Sequence, residues 1–197
     1  MKEPEVFVLA EEAMKKVVDQ IKDDQWGMEM PKEFKLRSAP EKPITLREII
    51  NYHAYDDAWV PDMLRGKTMD EIGKEAFKGD LLGSDPKGNF TIYADKAINA
   101  ARNFTDLDKA IHLSYGDYPA REYFWHITSF RGFRAVELAK VIGADTKLSD
   151  DLVQGMWNEL SPHAEEWRQI GIFGPKVEVP EDSSLQDKLL AMSGRKP

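Results

Sequence analysis

From residue 5 to about residue 25, Val6, Phe7, Ala10, Ala13, Met14, Val17 and Ile21 recur every three or four positions, which draws one apolar stripe along a helix. Pro4 opens that helix, because a first-turn proline gives up no hydrogen bond. Residues 27–43 hold three prolines and mixed charges without a period, and read as a connector. Thr45-Leu46-Arg47-Glu48 is a capping box that starts a second helix, stopped by Gly66, with a kink expected at Pro61. Thr68-Met69-Asp70-Glu71 repeats the box over a short helix, followed by a loop over 78–89. A further helix is expected over about 91–102. Asp117-Tyr118-Pro119 reads as the start of a long helix that runs to Ile142, with Gly143 behind it. Ser149 caps another, reaching about Ile170 with a break before Pro162. Residues 171–184 read as extended tail, and a closing helix covers about 185–191. Without a convincing strand pattern, these elements predict an all-α four-helix bundle with short extra helices.

The 197 residues are 31% charged and 42% hydrophobic, which suits one globular domain over 1–197 and excludes disordered or fibrous classes. The net charge of -8, with lysines and acids interleaved, argues against nucleic acid as a partner. Cysteine is absent, so a protein-borne thiol nucleophile or thiolate metal site is excluded, while a soluble thiol is not. The polar N-terminal segment and the lack of a long apolar run predict a cytoplasmic protein with no membrane partner.

Three stretches carry a family resemblance: LREIINYHAYDDAWVPDMLRGKT, REYFWHITSFRGFRAVELAKVIGAD, and the closing EEWRQIGIFGPKVEVPEDSSLQDKLLAMSGRKP. They are similar, in order, to the DinB-like and mycothiol-dependent maleylpyruvate isomerase superfamily. The last resembles a tail common in an actinobacterial branch of it. The resemblance implies a DinB-like four-helix bundle and a homodimer. The tail over 171–197 is expected to pack back across the bundle, since Ile172, Phe173, Val177, Val179 and Leu185 would otherwise be stranded in water. The resemblance also implies one divalent metal, zinc or nickel, between the second and third long helices. A low-molecular-weight thiol such as mycothiol would be activated there for transfer or isomerisation of a small molecule.

Two placements of the site follow. In the first, His53 and the pair Glu122 and His126 are the metal ligands that the resemblance implies. The i,i+4 spacing of that pair lets both side chains reach one ion. In the second, the family register falls one residue earlier on the second helix and two turns later on the third. The ligand positions are then taken by Tyr52, Phe130 and Arg134, with Trp59, Phe133 and Glu137 nearby. That cleft would hold a small anionic or apolar ligand without metal, the guanidinium gripping a carboxylate. Competing with these are plainer roles. His53 reads as a satisfied core histidine, Glu122 and His126 as a hydrogen-bonded pair, and Arg134 as an ion-pair partner of Glu137, Asp56 or Asp57. Asp56 and Asp57 themselves read as a solvated face or as carboxylates orienting His53. His112 and His163 read as solvent-facing or locally bonded, and the aromatics over 115–133 as bundle core. No phosphate loop, G-x-S-x-G or H-E-x-x-H occurs.

Overall fold

The structure, a computed structural model, describes residues 1–32, 34 and 43–197, so part of the expected connector lies outside the described residues. Helix α1 spans Glu3–Asp19, α2 Leu46–Arg65, α3 Met69–Ile72, and α4 Pro86–Arg102. A two-stranded sheet of β1 (Ala110–Leu113) and β2 (Gly116–Pro119) precedes α5 (Ala120–Ile142), α6 (Asp150–Leu160), α7 (Ala164–Gln169) and α8 (Leu185–Met192). The described chain is mostly helical, a helical bundle with one small hairpin.

Helix starts follow the capping chemistry read from the sequence. Thr45 accepts from the Glu48 amide while Glu48 returns to the Thr45 amide at 2.8 Å, and Thr68 and Glu71 repeat the exchange. Ser149 caps α6 through the Leu152 amide. At the other ends, Gly66 and Gly143 take φ of 83° and 72°, the left-handed turn that a residue with a Cβ adopts at a cost. Pro61 stands inside α2 without ending it.

Four expectations change. Helix α1 stops at Asp19, since residues 23–25 form a separate 3-10 turn. Helix α4 begins at Pro86, because Asp85 caps it through the Gly88 amide; this converts the expected loop end into a first turn. Asp117 does not cap α5. It sits in β2 opposite His112 and bonds that imidazole at 2.9 Å, while Pro119 occupies the cap position without a side-chain bond. The strands escape a period-2 reading because each is only four residues long and only Ile111 among them is fully buried. Finally, Phe173 of the tail is buried against Phe133 and Trp167 as expected, and the Val177 amide bonds Ala191, but Ile170 and Ile172 remain exposed.

The packing order sets up the site. α1 lies against both α5 and α4, α4 lies against α2, and α6 closes over α1 and α5 with α8 behind it. Around the ring α5, α1, α4, α2, the backbones approach closely at each seam except the last, between α2 and α5. Large side chains span that seam.

Candidate functional site

Beside the seam, α1, α2 and α5 each carry a charged residue on the apolar stripe. Glu11 lies between Phe7 and Met14 on α1, Asp57 one turn after His53 on α2, and Arg131 one turn after Thr128 on α5; all are fully buried. Arg131 Nε donates to Glu11 Oε2 at 3.0 Å and to Asp57 Oδ1 at 3.1 Å, and Nη2 donates to Asp57 as well. Asp56 Oδ2 stands 3.8 Å from Arg131 Nη1 and keeps 28% of its side chain open to solvent. One guanidinium thus gathers three carboxyl groups from two helices. The arrangement leaves Glu11 Oε1, Asp57 Oδ2, Arg131 Nη1, Thr128 Oγ1 and both His53 nitrogens buried without a hydrogen-bond partner. Buried polar atoms collected in this number mark a functional or hydrated centre more often than a packing device.

Electrostatics sort these groups. Burial works against the Arg131 charge, but Asp57, Glu11 and Asp56 outweigh it and hold the guanidinium firmly protonated. Burial, reinforced by the charge of Asp57, raises Glu11 well above the carboxylate range, and burial raises Asp57 against the pull of Arg131. The two carboxyls titrate as a pair, and the geometry favours charge on Asp57, which accepts from both Nε and Nη2 of Arg131, over Glu11, which accepts from Nε alone. Asp56 is pushed up to about 7 by burial, opposed by Arg131. Burial, then the neighbouring charges of Arg131 and Arg134, keep His53 neutral.

Above this floor lies a rim of partly exposed side chains. Phe130 is its centre: Tyr52 meets it edge-on at 6.0 Å, His53 stacks beneath at 4.6 Å, and the guanidinium carbons of Arg131 and Arg134 stand 5.4 and 5.6 Å from its centroid. Arg134 also lies 4.7 Å from the Phe34 ring and pairs through Nη1 with Glu137 at 3.1 Å, Glu137 being shared with Arg195 at 2.7 Å. Its Nε is buried and has no acceptor. Burial accordingly lowers the Arg134 pKa, with Glu137 opposing.

The second placement of the sequence analysis is the one whose residues meet: Tyr52, Phe130, Arg134 and Glu137 form the rim. Phe133 turns instead into the core against Phe173. Trp59 is a correction, since it packs at 5.0 Å on Phe77 and at 6.0 Å on Tyr55, in a separate apolar cluster. The Glu137 half of the plainer reading of Arg134 holds, whereas Asp56 and Asp57 belong to Arg131.

The first placement does not assemble. His126 turns into an aromatic box, bonding the Tyr115 hydroxyl at 3.3 Å and packing on Tyr118 and Trp167, so it is not the partner of Glu122. His53 is buried yet has neither nitrogen satisfied, which corrects its reading as a satisfied histidine, and its face is pressed on Phe130. Among the described residues no group of three or more His, Cys, Asp or Glu side chains is placed to hold a metal ion. The nearest thing to such a donor set, Glu11, Asp57 and Asp56, already surrounds a cation that the chain supplies. The residues present therefore do not fit the divalent metal or the metal-activated thiol that the resemblance implies.

Sequence reasoning missed the Arg131 cluster altogether, although the signal was present as one charged residue on the apolar stripe of each of three helices. Elsewhere, an open groove of about 680 Å³ between α2 and α4, walled by Pro61, Phe77, Lys96 and Phe104, holds none of the candidate residues. No helix among the described residues is long and apolar enough to cross a membrane. Compared with family models, curated proteins and solved structures, the chain matches none.

Proposed function

We propose that this chain is a DinB-like bundle in which an internal arginine stands where relatives would hold a metal, and that it binds a small carboxylate-bearing molecule at the α2–α5 seam. The order of the three family-like stretches supports the lineage. The observation that carries the function is the Arg134 side chain: 17% exposed, flanked by Phe34 and Phe130, bound to Glu137 on one side and left with an unpartnered Nε on the other. A guanidinium presents a planar fork of donors that a carboxylate fills with two parallel bonds, and aromatic faces on either side favour an apolar body on the ligand. An unpaired buried N–H costs about 1–3 kcal/mol, which an incoming acceptor recovers.

Isothermal titration with 4-methylbenzoate tests this reading. The expected result is one-to-one binding that a chelator does not alter and that Arg134→Met weakens at least tenfold. Affinity unchanged in that variant, or abolished by the chelator, overturns it. Substitution to methionine keeps the bulk of the side chain beside Phe130 and leaves Glu137 paired with Arg195, so the bundle remains intact for the measurement.

A further inference from the structure

The two edges of the seam carry opposite charges. On α2, Tyr52 and Asp56 are four residues apart and so share a face; on α5, Phe130 and Arg134 do the same. The helices run in opposite directions here. Asp56 and Asp57 meet Arg131, whereas Tyr52 and the segment before α2, through Phe34, lie at the Arg134 end. Asp56 therefore lies toward one end of the rim and Arg134 toward the other. Asp56 approaches Arg131, one turn before Arg134 on α5, so the two lie at different levels of the seam, and both guanidinium groups stand against the Phe130 ring.

Neither end is saturated from within. The strongest contact of Asp56 is the 3.8 Å approach to Arg131 Nη1, longer than a hydrogen bond, because Arg131 spends its Nε and Nη2 on Glu11 and Asp57. Asp56 is also the one carboxyl of the cluster that reaches solvent, so it can meet a ligand without opening the core. At the far end stands the unpartnered Arg134 Nε. A rim with an aromatic middle, a carboxylate at one end and a guanidinium edge at the other is complementary to a molecule of the reverse polarity.

We infer that the ligand of the seam is a small zwitterion, in which an ammonium or similar cationic donor meets Asp56 and a carboxylate meets Arg134 across an aromatic or apolar spacer. This inference rests on the binding reading above and adds its second anchor. It makes Asp56 the residue that sets specificity. A molecule whose two charges are joined by an aromatic or apolar spacer would meet both ends and the Phe130 ring.

The test compares three probes of one shape: 4-methylbenzoate, benzylamine and 4-(aminomethyl)benzoate, titrated calorimetrically into the full chain at neutral pH. The zwitterion is expected to bind at least tenfold more tightly than 4-methylbenzoate and more tightly than benzylamine. In Asp56→Asn, an isosteric change at a partly exposed position, that ratio should fall to about one. A thermal melt of the variant confirms that it is folded. A wild-type ratio below twofold, or a ratio that survives Asp56→Asn, overturns the inference while 4-methylbenzoate binding leaves the seam reading standing. If 4-methylbenzoate does not bind but the zwitterion does, lost on Asp56→Asn yet indifferent to Arg134→Met, the carboxylate anchor falls and the Asp56 anchor stands alone. Failure of all three probes overturns both.

Discussion

Arg131 and Arg134 stand three residues apart on one helix, and their surroundings differ in almost every respect that matters. Arg131 is fully buried, ringed by Glu11, Asp57 and Asp56, and its charge is consumed by the protein itself. Arg134 lies on the rim between two phenylalanines, holds one acid, and keeps an N–H edge free. A step of three residues turns a side chain by about 300° and advances it by about 4.5 Å, enough to move it from the centre of the bundle to its margin. The lesson is that a guanidinium becomes a binding group only where the fold leaves it short of partners. At the floor the same group is a structural cation, offsetting acids that would otherwise be unpaired in the core.

The sharpest way to break that contrast is to remove the floor cation. Arg131→Met strands Asp57 without its counter-ion, and loss of one partner of a buried pair is expected to cost about 3–5 kcal/mol of unfolding free energy in urea at neutral pH. The carboxyls come next. Asp57→Asn removes the acceptor of two Arg131 donors and should cost about 3 kcal/mol, whereas Glu11→Gln keeps an oxygen for the one Nε bond and should cost less. Equal costs at the two positions would contradict Asp57 as the main counter-ion of Arg131.

The pH dependence is a subtler effect. The ordinary aspartate value is 3.8 and that of folded Asp56 about 7, so between them the folded chain keeps a proton that the unfolded chain has shed. Stability from this group is present at low pH and is lost as pH rises through about 7, with no further change above. Glu11, Asp57 and Glu159, the last raised to about 8 by burial, act with the same sign, while neutral His53 acts oppositely, losing stability as pH falls below 6.5. The difference between wild type and Asp56→Asn isolates the Asp56 contribution. Urea titrations from pH 4.5 to 8 should show the wild type losing ground against the variant as pH rises, and a flat difference would contradict the account. Smallest of all is Arg134→Met on stability, expected at under about 1 kcal/mol because its ion pair with Glu137 lies at the partly exposed rim.

Much of the fold could be read from local chemistry. Thr45, Thr68 and Ser149 announce helix starts by hydrogen bonds to amides three residues away, and Gly66 and Gly143 announce stops by a backbone angle. Such signals need no knowledge of the rest of the chain. The hairpin over residues 110–119 was not legible, since its strands are short and its His112 to Asp117 bond joins residues that look like a loop and a helix cap. The site was legible by halves. Tyr52, Phe130, Arg134 and Glu137 were named only through the register of the family resemblance, and the structure brings these four together while Trp59 and Phe133 from the same placement pack elsewhere. The floor did not emerge, because Glu11, Asp57 and Arg131 come from helices far apart in sequence and each alone looks like an ordinary surface charge. Only their placement on apolar stripes, Phe7 to Met14, His53 to Val60 and Phe124 to Leu138, distinguishes them.

The most direct measurement is a side-chain NMR titration of the arginine Nε–H signals with 4-methylbenzoate, assigned by comparison with Arg134→Met and followed beside the buried Arg131 signal. Arg134 Nε–H is expected to shift and saturate with one equivalent of bound probe, while Arg131 Nε–H, held by Glu11 and Asp57, stays in place. Movement of the Arg131 signal with Arg134 unaffected would contradict the division between a closed floor and an open rim.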